Sequence, residues 1–294
     1  MAQPQGSQAQ FAADSATPFD GSSEAYEVLS DGLRKTSTIL DTGGLRGTRE
    51  HAQERTRYGN DDVRGSIVMV CSPADLDNWL PRILGAAESA DSFDFAETLP
   101  EWVWLSDRVG DVYLYEGCKV ARATFAGSAG GFVNMTLDVV AKSETTGQSF
   151  PSLTLSVAEN SKPYIFSDST LTLQSSSRNI TSFSLVIDNL AVPTYHNSTT
   201  ATDIDATDQV VTLDCNVDNS SGNQDLYEQA LAGATGSLVL TRGNMSCTFT
   251  FGTLQVPDQT PIVGGKGRIG WDLSMTARKT GSTAALSVTN DSTA

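Results

Sequence analysis

VYLYEGCKVARATFAGSAGGFVNMTLDVVAK, residues Val112–Lys142, reads as two strands around a flexible joint. Alternating apolar runs flank a Gly/Ala/Ser-rich middle, the pattern of paired strands with a pliable connection. A second such stretch begins 136 residues later at Thr248, TFTFGTLQVPDQTPIVGGKGRIGWDLSMTAR. Laid over the first without a gap, it places Phe249 on Tyr113, Phe251 on Tyr115, Val256 on Val120, Leu273 on Leu137 and Ala277 on Ala141. Strand alternation stays in phase throughout, whereas a slip of one residue would turn every side chain to the wrong face. The sequence therefore predicts an internal duplication of a β unit.

Working outward, the match continues upstream at an offset of 144. Arg34 meets Arg178, Cys71 meets Cys215, and GSIVMVC (Gly65–Cys71) meets QVVTLDC (Gln209–Cys215). After Cys71, Ser72 and Pro73 open a predicted helix running through Gly85, with Ser72 as N-cap and Pro73 in the first turn. Leu76, Trp79, Leu80, Ile83 and Leu84 share one face of it, and Pro81 threatens to kink or shorten it. DLYEQALAGA (Asp225–Ala234) answers it in the second half. The first half alone carries an extra piece with Phe93, Phe95, Trp102 and Trp104. Each half thus reads strand, long loop, strand, helix, two strands. The expected division is a flexible arm over 1–22, a first domain over 23–146, a linker over 147–161, a second domain over 162–282 and a polar tail over 283–294.

Composition agrees with a β protein. Of the 294 residues 39% are hydrophobic and 18% charged, enough for packed cores. The net charge of −16 argues against a protein that grips nucleic acid without regard to sequence, because that needs a basic face. No run approaches the apolar length of a membrane span, and the first residues have neither the basic nor the apolar part of a secretory signal. The four cysteines, Cys71, Cys118, Cys215 and Cys247, lie far apart without a CxxC and read as reduced, half-buried thiols.

Motifs for chemistry are sparse. His51 and His196 lie in the two long polar loops, Gly43–Asp62 and Ile187–Asp208, with no Cys or His at metal spacing. GGKG (Gly264–Gly267) lacks the rest of a phosphate loop, and its counterpart at Ser128–Gly131 lacks the lysine. Asp203, Asp205 and Asp208, and the run Asp218–Asp225, do not complete a calcium loop. No enzyme activity, cofactor or metal is expected.

Several runs together resemble the major tail tube proteins of long-tailed, non-contractile bacteriophages. They are VLSDGLRKTSTILDTGGLRGTR (Val28–Arg49), SPADLDNWLPRILGA (Ser72–Ala86), EGCKVARATFAGSAGGFVNMTLDVVAK (Glu116–Lys142), LYEQALAGATGSLVLT (Leu226–Thr241) and LQVPDQTPIVGGKGRI (Leu254–Ile269). The resemblance implies a mainly β fold, sandwich- or barrel-like, with a helix on the flank of each of two tandem domains. It also implies rings that stack into a tube for DNA, with tape measure, tail terminator and distal tail proteins as partners. Two domains per chain lead to an expected trimer with pseudo-six-fold symmetry. Asn134, Thr136 and Asp138, with Asp272, Ser274 and Thr276, form the polar sides of the two repeated strands and are the expected lumen-facing set. Arg46, Arg49, Arg55 and Arg57, in the first long loop, are the expected contacts to the adjacent ring. Another virion β-module (a connector or distal tail component) and a secreted adhesin are the alternative readings.

Overall fold

The structure, a computed structural model, describes residues 5–21, 23–44, 47–218, 233–256, 263, 265–267 and 269–293. It is mainly β, and every strand pairing is antiparallel among the described residues. The first half contributes β1 (Gln10–Asp14), β2 (Glu24–Tyr26), β3 (Ser30–Asp31), β4 (Arg34–Asp41) and β5 (Thr56–Val70). Helix α1 (Pro73–Leu84) follows, then β6 (Ser92–Phe93), β7 (Trp102–Asp107), β8 (Val112–Ser128), β9 (Asn134–Ala141) and β10 (Ser143–Thr146). The second half contributes β11 (Ser169–Leu173), β12 (Ser176–Arg178), β13 (Ile180–Asp188), β14 (Ala191–Thr194) and β15 (Asp203–Ala206). It closes with β16 (Val210–Asp218), β17 (Ala234–Arg242), β18 (Met245–Gln255), β19 (Gly270–Arg278) and β20 (Leu286–Asp291).

The long strand β8 organises the rest. Its first part pairs with β7 and β10 in a small outer sheet, and its second part pairs with β9 and β13. Gly117 makes the change of sheet possible. Its φ of 61° lies where side chains are strained, and a Cβ there would come within 2.7 Å of the Lys142 side chain. One register irregularity spans it, between Tyr115 and Cys118, and a second follows between Val120 and Arg122. Beyond the bend, β4, β5, β9, β8, β13, β16 and β19 are hydrogen-bonded in that order, so strands of both halves share one sheet. A second outer group, β12–β11–β17–β18–β20–β6, belongs mostly to the second half.

Strand burial follows the period of two that the sequence shows. On β9, Met135, Leu137 and Val139 are buried and Asn134, Thr136 and Asp138 are partly open. On β19, Trp271, Leu273 and Met275 are buried while Asp272 and Ser274 are exposed. The core behind these strands is continuous across the halves, joining Ile67, Phe125 and Leu137 to Leu185, Leu213 and Met275. At an order of 1.5–3 kcal/mol for each large apolar side chain buried, it is the main source of cohesion. Helix α1 is N-capped by Ser72, whose Oγ accepts the Asp75 N–H at 3.1 Å, and ends at Gly85 with φ 100°. Pro81 sits in its last turns without ending it. Its apolar stripe is fully buried, with Trp79 among Tyr26, Trp102 and Trp104.

Several expectations are corrected. The predicted arm over 1–22 contains β1, which pairs with both β2 and β7 and buries Ala12 and Ala13. The predicted tail over 283–294 contains β20, whose Leu286 and Val288 enter the core and whose backbone pairs with β18 and β6. The second long loop, Ile187–Asp208, is mostly a β14–β15 hairpin, and the first shrinks because β5 already begins at Thr56. The helix predicted at Asp225–Ala234 lies outside the described residues except for Gly233 and Ala234, and Ala234 opens β17.

The halves repeat one pairing order, β4–β5–β9–β8 and β13–β16–β19–β18. The rungs Arg64↔Val140↔Lys119 are answered by Thr212↔Thr276↔Gln255, which keeps the 136-residue offset for the last two strands. Upstream the ladder departs from the sequence match. Ile67 faces Leu137, and Cys215 rather than Val211 faces Leu273, a slip of four residues. An even slip leaves the core face unchanged, which is why alternation alone does not expose it.

Candidate functional site

Because β5, β9, β8, β13, β16 and β19 pair in unbroken sequence, their outward side chains fall into rows. One row runs Ser66, Asp138, Arg122, Asp188, Val210. The next runs Val68, Thr136, Thr124, Val186, Thr212, Thr276, and a third Val70, Asn134, Ala126, Ser184, Asp214, Ser274. A fourth holds Ser128, Ser182, Asn216 and Asp272. The six residues singled out from sequence all lie on this one face. Reading two strands alone missed Thr124, Ser182, Ser184, Thr212 and Asp214, although the alternation of SFSLVID and VVTLDCNVD marks β13 and β16 as half-wet strands.

The face is small, hydroxylated and acidic. Asp62, Asp138, Asp188, Asp214, Asp218 and Asp272 stand against Arg64, Arg122 and Arg278, with Lys119 at the same face's covered end. Arg122 is not an open cation, since its Nε donates to Asp188 Oδ2 at 2.9 Å. That hydrogen bond and the two neighbouring aspartates, Asp188 first and Asp138 after it, raise its already high pKa. Asp138 accepts from Ser66 Oγ at 2.5 Å, and Asp272 accepts from Asn216 Nδ2 at 2.5 Å. Arg64 is held by Asp62 at 2.7 Å. Exposed pairs of this kind add on the order of 0.2–1 kcal/mol each, so they orient side chains more than they hold the fold.

At one end the face is covered. The β14–β15 hairpin folds back across β8, β9 and β5, burying Ile204 and Ala191 against Val140, with Ala121 alongside. Lys119 Nζ donates to the Ile204 carbonyl at 2.7 Å, Asp203 lies 3.7 and 3.6 Å from Lys119 and Lys142, and Tyr195 donates to the Asp61 carbonyl at 2.8 Å. This hairpin is therefore seated on its own chain. The β4–β5 hairpin in the first half is not: every residue of β4 but Ser37 is exposed, and Ile39, Leu40 and Tyr58 are 67, 59 and 73% exposed. Arg49, Arg55 and Arg57 lie exposed at or beside its tip, and Arg46 lies outside the described residues. His51 meets Asp41 there, and His196 is exposed at the tip of the other hairpin.

Among the described residues no group of three or more His, Cys, Asp and Glu is placed to hold a metal. All four cysteines are buried and unpaired, and burial pushes their thiols above the ordinary range, Cys215 to about 12. The face is polar and continuous, and its reverse is buried.

Residues 6–287 match the family model for phage tail tube protein. The chain belongs to the phage tail tube protein family. No curated protein matches it in sequence. Membership of this tail tube family implies a structural role in the tail of a virion. No helix among the described residues of this tail tube protein is long and apolar enough to cross a membrane.

Proposed function

We propose that this tail tube protein forms rings of three chains that stack into the conduit through which DNA leaves the virion. The observation that carries the reading is the polar face itself, which passes from β5 to β19 without a seam between the halves. Each chain then supplies two quasi-equivalent wall segments, residues 23–146 and 162–282, and three chains supply the six that a pseudo-six-fold ring needs. Cyclic closure through head-to-tail contacts satisfies sheet edges that a lone chain leaves open. In this reading Asn134, Thr136, Asp138, Asp272, Ser274 and Thr276 face the lumen, joined by the equivalent residues of β8, β13 and β16. A duplex meeting such a wall finds carboxylates in excess of cations, with Arg64 and Arg122 already paired to aspartates, so it gains little from releasing counterions. Repulsion, screened over about 8–10 Å in physiological salt, keeps it centred.

The tip of the β4–β5 hairpin, with Arg46, Arg49, Arg55 and Arg57, reaches an adjacent ring and meets carboxylates there. Tape measure, tail terminator and distal tail proteins complete the tail. Electron microscopy of the concentrated protein tests the reading: three chains per ring, with Asp138 and Asp272 on the bore, is the expected map. Six chains per ring refutes the trimer, and Asp138 and Asp272 on the outer surface refutes the wall.

A further inference from the structure

The seat that holds the second hairpin has a counterpart in the second half, and the first hairpin has no seat of its own. In the first half the rung Thr36↔Asp62 is followed, three residues on and four back, by Ile39↔Tyr58. In the second half Asp188↔Val210 is followed, again three on and four back, by Ala191↔Ala206. Both hairpins thus carry the same one-residue irregularity at the same place. Ile39 stands where Ala191 stands, and Ala191 is buried on Val140. The receiving row Arg64–Val140–Lys119 has its counterpart in Thr212–Thr276–Gln255 of the second half, over which no hairpin of the described residues lies. An exposed apolar pair and an uncovered seat therefore coexist on each chain.

We infer that the β4–β5 hairpin of one chain lies across β16, β19 and the end of β18 of a second copy, with Ile39 over Thr276, as β14–β15 lies across β5, β9 and β8 within the chain. This deepens the ring reading and rests on it: each junction between chains repeats the junction inside a chain, which is the condition for a closed ring of like contacts. The ion pairs are not copied, since Arg55 stands for Asp203 and Gln255 for Lys119. Apolar contact from Ile39, Leu40 and Tyr58 replaces them. Charge is complementary, since the segment leading into β16 carries exposed Asp205 and Asp208 and the hairpin carries exposed Arg49 and Arg57. Between Ile39 and Tyr58 the first hairpin is four residues longer than the second is between Ala191 and Ala206, so its tip extends past the seat toward the next ring. Thr276 stays on the lumen side of the sheet, covered there by the neighbour's hairpin, and the other five residues of the set remain on open bore.

The test is an engineered disulfide, Ile39→Cys with Thr276→Cys in the full chain, assembled and then oxidised with a copper–phenanthroline complex. The native thiols are buried and do not compete. Covalent trimers and their intermediates on a non-reducing gel are the expected result, with each single variant remaining monomeric on the gel. Tubes that form normally yet give no linkage between chains overturn this inference and leave the tube reading standing. Wild-type protein that never assembles overturns both. As an independent measure, Ile39→Asp with Tyr58→Asp should keep the wild-type melting temperature while losing at least nine-tenths of ring formation by sedimentation. Full ring formation by that variant also overturns the inference.

Discussion

Replacing Trp79 with alanine tests whether the two halves are one cooperative body. The indole is fully buried, edge-on to Trp102 at 5.0 Å, 5.2 Å from Tyr26 and 6.2 Å from Trp104, with the Arg82 guanidinium 4.9 Å from its ring. Truncation of such a side chain costs about 3–5 kcal/mol, of which each aromatic pair supplies on the order of 0.5–1.5. Spread over a chain of this size, the loss lowers the melting temperature by roughly 5–8 °C. The helix that carries Trp79 touches β8 of the first half and β18 and β20 of the second, and the core is continuous behind it. Calorimetry should therefore show one transition moved as a whole. Hydrogen exchange sharpens the test, because the amides of Leu273 and Met275 on β19, in the other half of the chain, should lose protection together with those of Leu137 and Val139. A variant whose β19 keeps its full protection while β9 opens would show that the halves unfold separately and would refute the shared-core reasoning.

Further expectations concern the wall, the hairpin tip and buried titration. Asp138→Lys with Asp272→Lys should assemble, at a stability cost within about 1 kcal/mol per exposed pair lost, and slow DNA ejection in low salt; an unchanged ejection rate would end the lumen assignment. Deleting Arg46–Arg57 should leave folded rings that do not stack, seen as isolated rings in micrographs, and normal tubes would dismiss the tip as a contact. Burial pushes the Asp75 carboxyl up to about 6, against the hydrogen bond from Ser72, with Glu24 and Glu27 adding to the rise. Between the unfolded value near 4 and that value the folded chain keeps a proton the unfolded chain has lost, so this contribution to stability falls as pH rises through the window. Asp75→Asn, which still accepts from Ser72, should stabilise the protein at pH 7.5 by up to about 3 kcal/mol, with the gain gone near pH 4 in melting curves. A thiol reagent at pH 8 should label none of the four cysteines rapidly in the folded chain and all four in denaturant.

Sequence periodicity carried the parts of this fold that are local. The capped helix and its stripe, the strand before it, and the inside-outside order of β9 and β19 are all visible in residue spacing, because a core face must repeat every two or 3.6 residues. The polar faces of Asn134–Asp138 and Asp272–Thr276 were legible for the same reason. Their union into one surface was not, since it depends on Ser182–Asp188 lying beside Arg122–Ser128, a pairing that no local pattern encodes. β1 was hidden because its buried residues are the alanines Ala12 and Ala13, which carry little hydrophobic signal. β20 was hidden by length, with Leu286 and Val288 too few to establish a period. The β14–β15 hairpin reads as polar loop because a single apolar residue, Ile204, anchors most of it.

The strand β8 has a mechanical meaning. Seven of its positions are paired with β13 on one side while β9 occupies the other, so both halves are fastened to the same length of backbone. Such a joint has no hinge, and bending the chain at its middle would require shearing a ladder of hydrogen bonds in concert rather than rotating about a linker. Compliance in a filament built from this protein must then reside between chains, where contacts are made by side chains and hairpins that can slide. A tail bent by flow or by collision with a cell would flex at those junctions and leave each wall segment undistorted. The bore would keep its local width while its axis curved.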